Sequence, residues 1–216
     1  MRKRALLAGT VALVLLTTAA TWFGGWAVIT VTDLPESITV GNEVRLEYAV
    51  RQHGVTILNG LSGSVVASGG GRTVSGSVTG ANGRYLAKLT VPSPGPWTIS
   101  ITSGFPGSKT TLDPIIAVAA GAPAPPPAAP AERGRHLFVA KGCGTCHVNR
   151  DISGTGAVEV GPELARGKLA SDYVARVLAD PTKAVPRPGK TEKMPNPRLK
   201  PAEITALTAY LTKSGQ

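Results

Sequence analysis

Apolar and polar residues alternate along several short segments in the first half of the chain. In segment 43–51, Val44, Leu46, Tyr48 and Val50 are apolar, while most residues between them are charged. A period of two places one face of a strand in a core and the other face in water. The pattern predicts a strand, and it recurs in two further sets: Tyr85, Ala87, Leu89, Val91 and Trp97, Ile99, Ile101.

Turn-forming residues separate these segments. Asn82-Gly83 favours a tight hairpin, and the glycine run 69–71 marks a further connection. We therefore predict an antiparallel, immunoglobulin-like β-sandwich of about seven strands over residues 28–120. Charges almost cancel between residues 33 and 120, with six basic and five acidic side chains, so this region does not produce the net charge of +10.

The pattern changes after residues 121–130, which contain five prolines. Proline fixes φ and removes a backbone donor, so we expect a stiff linker that separates two domains. Beyond it, in residues 131–216, apolar residues recur with a helical period. Three segments have this pattern: 131–141, 171–179 and 201–213. They predict an all-α domain, with Ser171 as a candidate N-cap.

The N-terminus combines a basic tip with a long uncharged stretch, which extends from Ala5 to Thr32. A helix over residues 5–26 would span about 33 Å, enough to cross the hydrocarbon core of a membrane. Its aromatic residues Trp22, Phe23 and Trp26 would lie at the far interface.

We therefore predict a basic cytoplasmic tip and a single transmembrane helix within residues 1–27, with the remaining chain on the periplasmic or extracytoplasmic side of the cell membrane. A signal peptide cleaved after Ala20 is the alternative. Export removes nucleic acid as a partner, and we find no recognition motif for it. The two cysteines, Cys143 and Cys146, lie too close together to form a disulfide framework.

These cysteines belong to the sequence Cys143-Gly-Thr-Cys146-His147, the attachment signature of c-type haem. Two thiols can add to the haem vinyl groups while the imidazole binds iron. A redox dithiol would require a βαβ context, which this helical region lacks. A zinc site would need two more ligands, and only His53 and His136 remain among the histidines. We predict one covalently attached haem c.

The iron then needs a ligand on its other face. Met194 is the only methionine besides Met1, and it lies in a proline-rich segment before the last helix. Methionine opposite histidine fills both axial positions and raises the reduction potential, which favours electron transfer. A core-filling role for Met194 and ligation by His136 are the alternatives.

Residues 131–216 resemble class I monohaem cytochromes c. The resemblance rests on these residues: Gly134, Leu137, Phe138, the Cys-x-x-Cys-His sequence, Gly161, Pro162, Lys193, Met194, Pro195, Tyr210 and Leu211. It implies that the first and last helices cross at Gly134 against Tyr210. It also implies that the carbonyl of Pro162 orients His147.

The segment between the haem motif and the last helix most resembles cytochrome c modules that are fused to subunits of terminal oxidases. The domain before those modules binds two copper ions through Cys, His and Met. Residues 28–118 offer only His53 for that purpose, so we expect no copper centre. The sandwich instead resembles immunoglobulin-like accessory domains of membrane electron-transfer systems.

We expect a non-enzymatic electron carrier that serves an integral membrane redox complex: a terminal oxidase, a quinol-oxidising complex or a photosynthetic reaction centre. No small-molecule substrate is needed. The alternatives are a haem-based gas sensor and a structural subunit whose sandwich mediates assembly. A basic rim near Met194 would steer an acidic partner. Its members are Lys183, Arg187, Lys190, Lys193, Arg198 and Lys200.

Overall fold

The computed structural model of the protein describes residues 25–158, 160–164, 169–185 and 193–212. Residues 1–24, which make up most of the predicted anchor, lie outside these ranges. Among the helices that are described, none has both the length and the apolar character needed to span a membrane.

Two sheets pack face to face in the N-terminal region. The first sheet has the order β1 (Ala27–Val31), β3 (Glu43–Gln52), β8 (Arg84–Thr90), β7 (Ser77–Ala81), and β4 (Thr56–Ile57) also pairs with β3. The second has the order β2 (Ser37–Thr39), β11 (Ile115–Val118), β9 (Gly95–Thr102), β5 (Ser64–Gly69), β6 (Arg72–Ser75), and β10 (Lys109–Thr111) pairs with β9.

The alternating residues of the sequence form the core of this sandwich. Tyr48 is opposite Tyr85 in the ladder between β3 and β8, and the two rings stack with centroids 5.3 Å apart. Trp97 and Ile99 from the opposing sheet are fully buried. The period of two therefore gave the correct inward face on both sheets.

The sandwich departs from the prediction in two respects. The described residues contain eleven strands rather than about seven, because short segments such as β4 and β10 carry no alternation long enough to detect. Gly76 separates β6 from β7, and a Cβ there would lie 2.0 Å from the Lys88 carbonyl oxygen, so the chain changes sheets at a point without room for a side chain. The second sheet is also not wholly antiparallel, since β2 and β11 run parallel.

Three α-helices follow in the described residues: α1 (Pro130–Ala140), α2 (Ser171–Ala179) and α3 (Pro201–Thr212). Single 3₁₀ turns occur at Cys143–Thr145 and Pro181–Lys183. Ser171 is the first helical residue rather than the cap. Ala170 occupies the cap position in extended conformation, without a side-chain hydrogen bond.

Trp26, the last residue of the predicted membrane-spanning segment, packs on the sandwich. Its ring centroid lies 5.4 Å from that of His53, and its carbonyl oxygen accepts a hydrogen bond of 3.0 Å from the His53 amide. These contacts continue the ladder between β1 and β3. Residue 26 therefore belongs to the sandwich.

The linker does not hold the two regions apart as expected. Residues 121–129 are mostly exposed, yet α1 lies directly against β1, an edge strand of the first sheet. Lys141 Nζ donates to the Thr32 carbonyl oxygen over 2.7 Å, and Arg133 donates to the Leu34 carbonyl oxygen over 2.6 Å. Buried apolar residues of both regions form one contiguous core.

Candidate haem site

The first and last helices of the C-terminal region cross at a glycine. A Cβ on Gly134 would lie 2.0 Å from the Ala206 carbonyl oxygen and 2.7 Å from Tyr210 Cβ. Only glycine allows α1 and α3 to approach this closely. Phe138 on α1 meets Tyr210 edge to face, with centroids 6.0 Å apart.

The attachment sequence begins where α1 ends. Gly142 adopts a left-handed conformation with φ of 75°, and its Cα faces the Ile29 backbone of β1. The 3₁₀ turn Cys143–Thr145 follows, and the His147 amide donates to the Cys143 carbonyl oxygen over 3.0 Å. Both cysteines and His147 therefore lie on one compact turn beside the edge strand.

Both cysteines are unbridged, and burial controls their ionisation. Burial raises the pKa of the Cys143 thiol to about 12 and that of the Cys146 thiol to about 11. A redox dithiol relies on a thiol whose pKa is lowered toward neutrality. The pKa values of this pair shift upward, so both thiols are held in the neutral form.

The carbonyl group of Pro162 orients the imidazole ring of His147. His147 Nδ1 lies 2.8 Å from the Pro162 carbonyl oxygen, and because a carbonyl only accepts, Nδ1 carries the proton. The nitrogen able to bind a metal is then Nε2. Gly161 makes this arrangement possible, since a Cβ there would lie 2.5 Å from His147 Nδ1.

The loop between His147 and Pro162 is fixed by its own hydrogen bonds. Thr155 Oγ1 accepts from the Asn149 amide over 2.8 Å and lies 2.9 Å from the Asn149 carbonyl oxygen. The Gly161 amide donates to the Cys146 carbonyl oxygen over 2.9 Å. The Leu164 amide donates to the Val148 carbonyl oxygen over 2.8 Å, so backbone hydrogen bonds on both sides fix the position of Pro162 beside the imidazole.

Met194 lies in segment 193–200, which has no regular secondary structure. Its side chain is half-buried and packs against the same hydrophobic core as Cys143. The Arg198 amide donates to Asn196 Oδ1 over 2.8 Å, which bends the segment before α3. Binding of Met194 to iron stays a prediction.

The other candidate residues take separate positions. His136 is half-exposed on α1, and His53 lies in the sandwich beside Trp26. Within the described ranges, no three His, Cys, Asp or Glu side chains gather closely enough to hold a metal ion. Four members of the basic rim are exposed: Lys183, Lys193, Arg198 and Lys200. Arg187 and Lys190 lie outside the described residues.

Sequence reasoning missed a buried ion pair beside the attachment turn. Lys141 Nζ lies 2.7 Å from Glu203 Oε1, and the two side chains are only 4% and 11% exposed. Glu203 also accepts from the Lys200 amide over 2.9 Å at the start of α3. The pair thereby joins α1, α3 and the Thr32 carbonyl of the sandwich, and separation in sequence concealed it.

The residues present fit a c-type haem. Two neutral thiols lie on one turn, Nδ1 of the adjacent imidazole is hydrogen-bonded to a carbonyl, and a thioether is available on a separate segment. These are the donor types that hold haem covalently and ligate iron on two faces.

Comparison with known families agrees with this site. Residues 131–214 match the family model described as Cytochrome c. The match supports a class I cytochrome c domain in this part of the chain and an electron-transfer haem protein, and the family implies covalently bound haem c. No curated protein sequence matches the chain.

Several solved structures show limited similarity to the chain. The Lin-41 filamin domain is 18% identical with a TM-score of 0.33, over 39% of this chain and 89% of its own. Domains 4 and 5 of the S-layer protein SbsC are 21% identical with a TM-score of 0.31, over 42% and 51%. The endo-beta-1,4-mannanase from Thermotoga petrophila is 14% identical with a TM-score of 0.30, over 46% and 21%. These scores support no argument about function.

Proposed function

We propose that this protein is a membrane-anchored, extracytoplasmic c-type cytochrome that carries single electrons to or within an integral membrane redox complex. The observation that carries the proposal is the 2.8 Å contact between Nδ1 of His147, the histidine of the Cys-x-x-Cys-His sequence, and the Pro162 carbonyl oxygen. Such a contact fixes the tautomer and orientation of a metal-binding imidazole and increases its basicity.

In this proposal, Cys143 and Cys146 would hold one haem c covalently, and His147 and Met194 would supply the ligands to its iron. When bound, the haem supplies an iron that accepts and releases one electron. His147 Nδ1 keeps its proton and donates it in a hydrogen bond to the Pro162 carbonyl oxygen, and Met194 would exclude other ligands from the iron. Occupation of both faces by the chain favours electron transfer over oxygen chemistry.

The partner in this proposal is an integral membrane complex, and the anchor is the helix that the sequence predicts over residues 5–26. Docking of α1 on β1 supports a fixed subunit over a tethered shuttle, because contacts such as Lys141 Nζ to the Thr32 carbonyl would have to break before the haem domain could move independently. The sandwich would then hold the haem domain at a set position above the membrane.

The ligand assignment is tested with Met194→Ala and a matched variant, Leu199→Ala, which shortens another half-buried apolar side chain of the same segment. We expect reduced Met194→Ala to bind carbon monoxide rapidly, while the wild type and Leu199→Ala bind it slowly or not at all. Rapid binding by the wild type would instead favour a gas-sensing module. Equal behaviour of Met194→Ala and the wild type would remove Met194 as the ligand.

The membrane partner is tested by native electrophoresis of gently solubilised membranes, followed by a denaturing dimension stained for haem. We expect the 22.1 kDa chain to retain haem and to migrate within a large assembly. A small free species would favour a shuttle, and a chain without stain would end the cytochrome proposal. Recovery of the chain in the soluble fraction would contradict the anchor.

A further inference from the structure

A turn of the sandwich touches the segment that carries Met194. Gly54 lies between β3 and β4, and a Cβ at this position would lie 2.9 Å from Pro195 Cγ and 3.8 Å from Pro195 Cβ. Pro195 directly follows Met194. The backbone of the turn therefore packs against the residue next to the methionine, with no room left for a side chain.

Two later residues of this segment, Arg198 and Lys200, also interact with the sandwich. Burial lowers the pKa of Arg51 at the end of β3, and the positive charge of Arg198 lowers it further. Lys200 then forms an ion pair with Asp33, just after β1. Segment 193–200 thus contacts the sandwich at two points, through Pro195 at Gly54 and through Lys200 at Asp33.

The turn itself is well supported. The Gly54 amide donates to the Arg51 carbonyl oxygen over 3.2 Å, and the His53 amide donates to the Trp26 carbonyl oxygen over 3.0 Å. The rings of Trp26 and His53 also pack together. A surface held in this way can fix the position of a neighbouring chain segment that has no regular structure of its own.

We propose that the turn Arg51–Gly54 of the sandwich is a positioning element for Met194. The turn holds segment 193–200 where the methionine can bind the haem iron. The inference rests on the proposed function, because it takes Met194 as an iron ligand. It gives the sandwich a direct role in the haem site: the fraction of molecules in which Met194 leaves the iron depends on the contact between Gly54 and Pro195.

The test is Gly54→Ala in the full-length, haem-loaded protein. The new Cβ would meet Pro195 and displace it. Because φ of Gly54 is +73°, alanine also strains the backbone, and Gly41→Ala controls for that strain. Gly41 has φ of +79° in the same domain, and nothing lies within 4 Å of a Cβ built there.

Three readouts report on the methionine: the rate of carbon monoxide binding to the reduced protein, the visible absorption of methionine-ligated ferric haem, and the reduction potential. We expect Gly54→Ala to bind carbon monoxide about tenfold faster than Gly41→Ala, because the rate follows the fraction of protein with an open iron position. Its potential should fall as methionine ligation weakens. Equal values in the two alanine variants would overturn the proposal.

Met194→Ala separates this proposal from the function on which it rests. If Met194→Ala binds carbon monoxide rapidly and Gly54→Ala binds it at the same rate as Gly41→Ala, only the positioning role fails. If Met194→Ala has no effect, the ligand assignment itself fails. A double variant adds a rescue test: Pro195→Ala removes the Cγ that the new Cβ would meet, so it should restore slow binding in the Gly54→Ala background. If the Pro195→Ala substitution does not slow carbon monoxide binding in the Gly54→Ala background, the two residues are not in direct contact.

Discussion

His147 Nδ1 donates a hydrogen bond of 2.8 Å to the carbonyl oxygen of Pro162, fifteen residues further along the chain. The loop between them is held by Thr155, which bonds the backbone of Asn149. Gly161 gives the imidazole the space it needs, because its Cα lies against the ring. The orientation of the imidazole is therefore a property of the whole loop rather than of His147 alone.

Gly161→Ala should disturb this contact without removing either thiol of the Cys-x-x-Cys-His sequence. The added Cβ would lie 2.5 Å from Nδ1, so the ring must move. A weaker hydrogen bond makes the imidazole a poorer donor, and we expect the reduction potential to rise. A rise of about 60 mV would correspond to a tenfold change in the preference for oxidised over reduced iron.

Gly154→Ala is the control for this variant. Gly154 lies in the same loop with φ of +73°, and a Cβ there meets nothing within 4 Å. Alanine at Gly154 strains the backbone without touching His147, so the potential should stay close to that of the wild type. A shift of equal size in both variants would show that loop strain, and not the imidazole contact, sets the potential.

Gly134→Ala should destabilise the helical region. A Cβ on Gly134 would overlap backbone atoms of Ala206, so α1 and α3 must separate. Overpacking of this kind costs about 1–3 kcal/mol, more than the ~1 kcal/mol that alanine gains over glycine in helix propensity. Chemical denaturation followed by circular dichroism measures the change. An unchanged or higher unfolding midpoint would contradict the close crossing.

The sequence allowed the faces of the sandwich to be predicted because the period of two is local: Tyr48 and Trp97 are buried as the alternation requires. The Cys-x-x-Cys-His sequence could be recognised because its residues are contiguous. The short strand β4 has only two residues, too few to establish a period. Sheet order and the parallel pairing of β2 with β11 depend on long-range contacts that no local pattern encodes.

The docking of the two regions was the main feature that sequence reasoning did not predict. The proline-rich linker suggested separation, but composition describes the linker and not the surfaces that it joins. Docking depends on polar groups distant in sequence, such as Arg133 and the Leu34 carbonyl oxygen, 2.6 Å apart. Lys141 carries no sequence signal of its own, because its partners Glu203 and the Thr32 carbonyl oxygen are distant from it in sequence.

The ion pair between Asp33 and Lys200 should make the docking sensitive to acid. The hydrogen bond from Lys200 holds the pKa of Asp33 below its ordinary value of 3.8. A carboxyl whose pKa is lowered by folding contributes stability above its unfolded pKa and loses it as the pH falls through the folded value. Asp33→Asn should therefore lower the unfolding midpoint at pH 6 and have progressively less effect below about pH 4.

Salt provides the control for this prediction. Both side chains are largely exposed, so the contribution is small and ionic screening should reduce it. Comparison of the wild type with Asp33→Asn at low and high ionic strength, across the acid range, tests the assignment. An effect of Asp33→Asn that is independent of both pH and salt would show that the variant acts through something other than this ion pair.

Loss of the buried pair between Lys141 and Glu203 should cost far more than loss of an exposed pair. Lys141→Met removes both the partner of Glu203 and the donor to the Thr32 carbonyl oxygen, and leaves a carboxylate only 11% exposed. An uncompensated buried charge costs about 3–5 kcal/mol. Chemical denaturation of the haem-loaded protein measures this loss.

Arg176→Met is the matched control, because Arg176 pairs with Asp172 one turn away on α2, and both side chains are exposed. Pairs of that kind contribute about 0.3–0.5 kcal/mol. If the two variants lose similar stability, Lys141 does not stabilise the contact between the helical region and the sandwich to the extent that its hydrogen bonds indicate. A further variant, Lys141→Met with Glu203→Gln, removes the stranded charge. It should recover part of the loss, because the penalty comes mainly from the unpaired carboxylate and only partly from the missing contact with the sandwich.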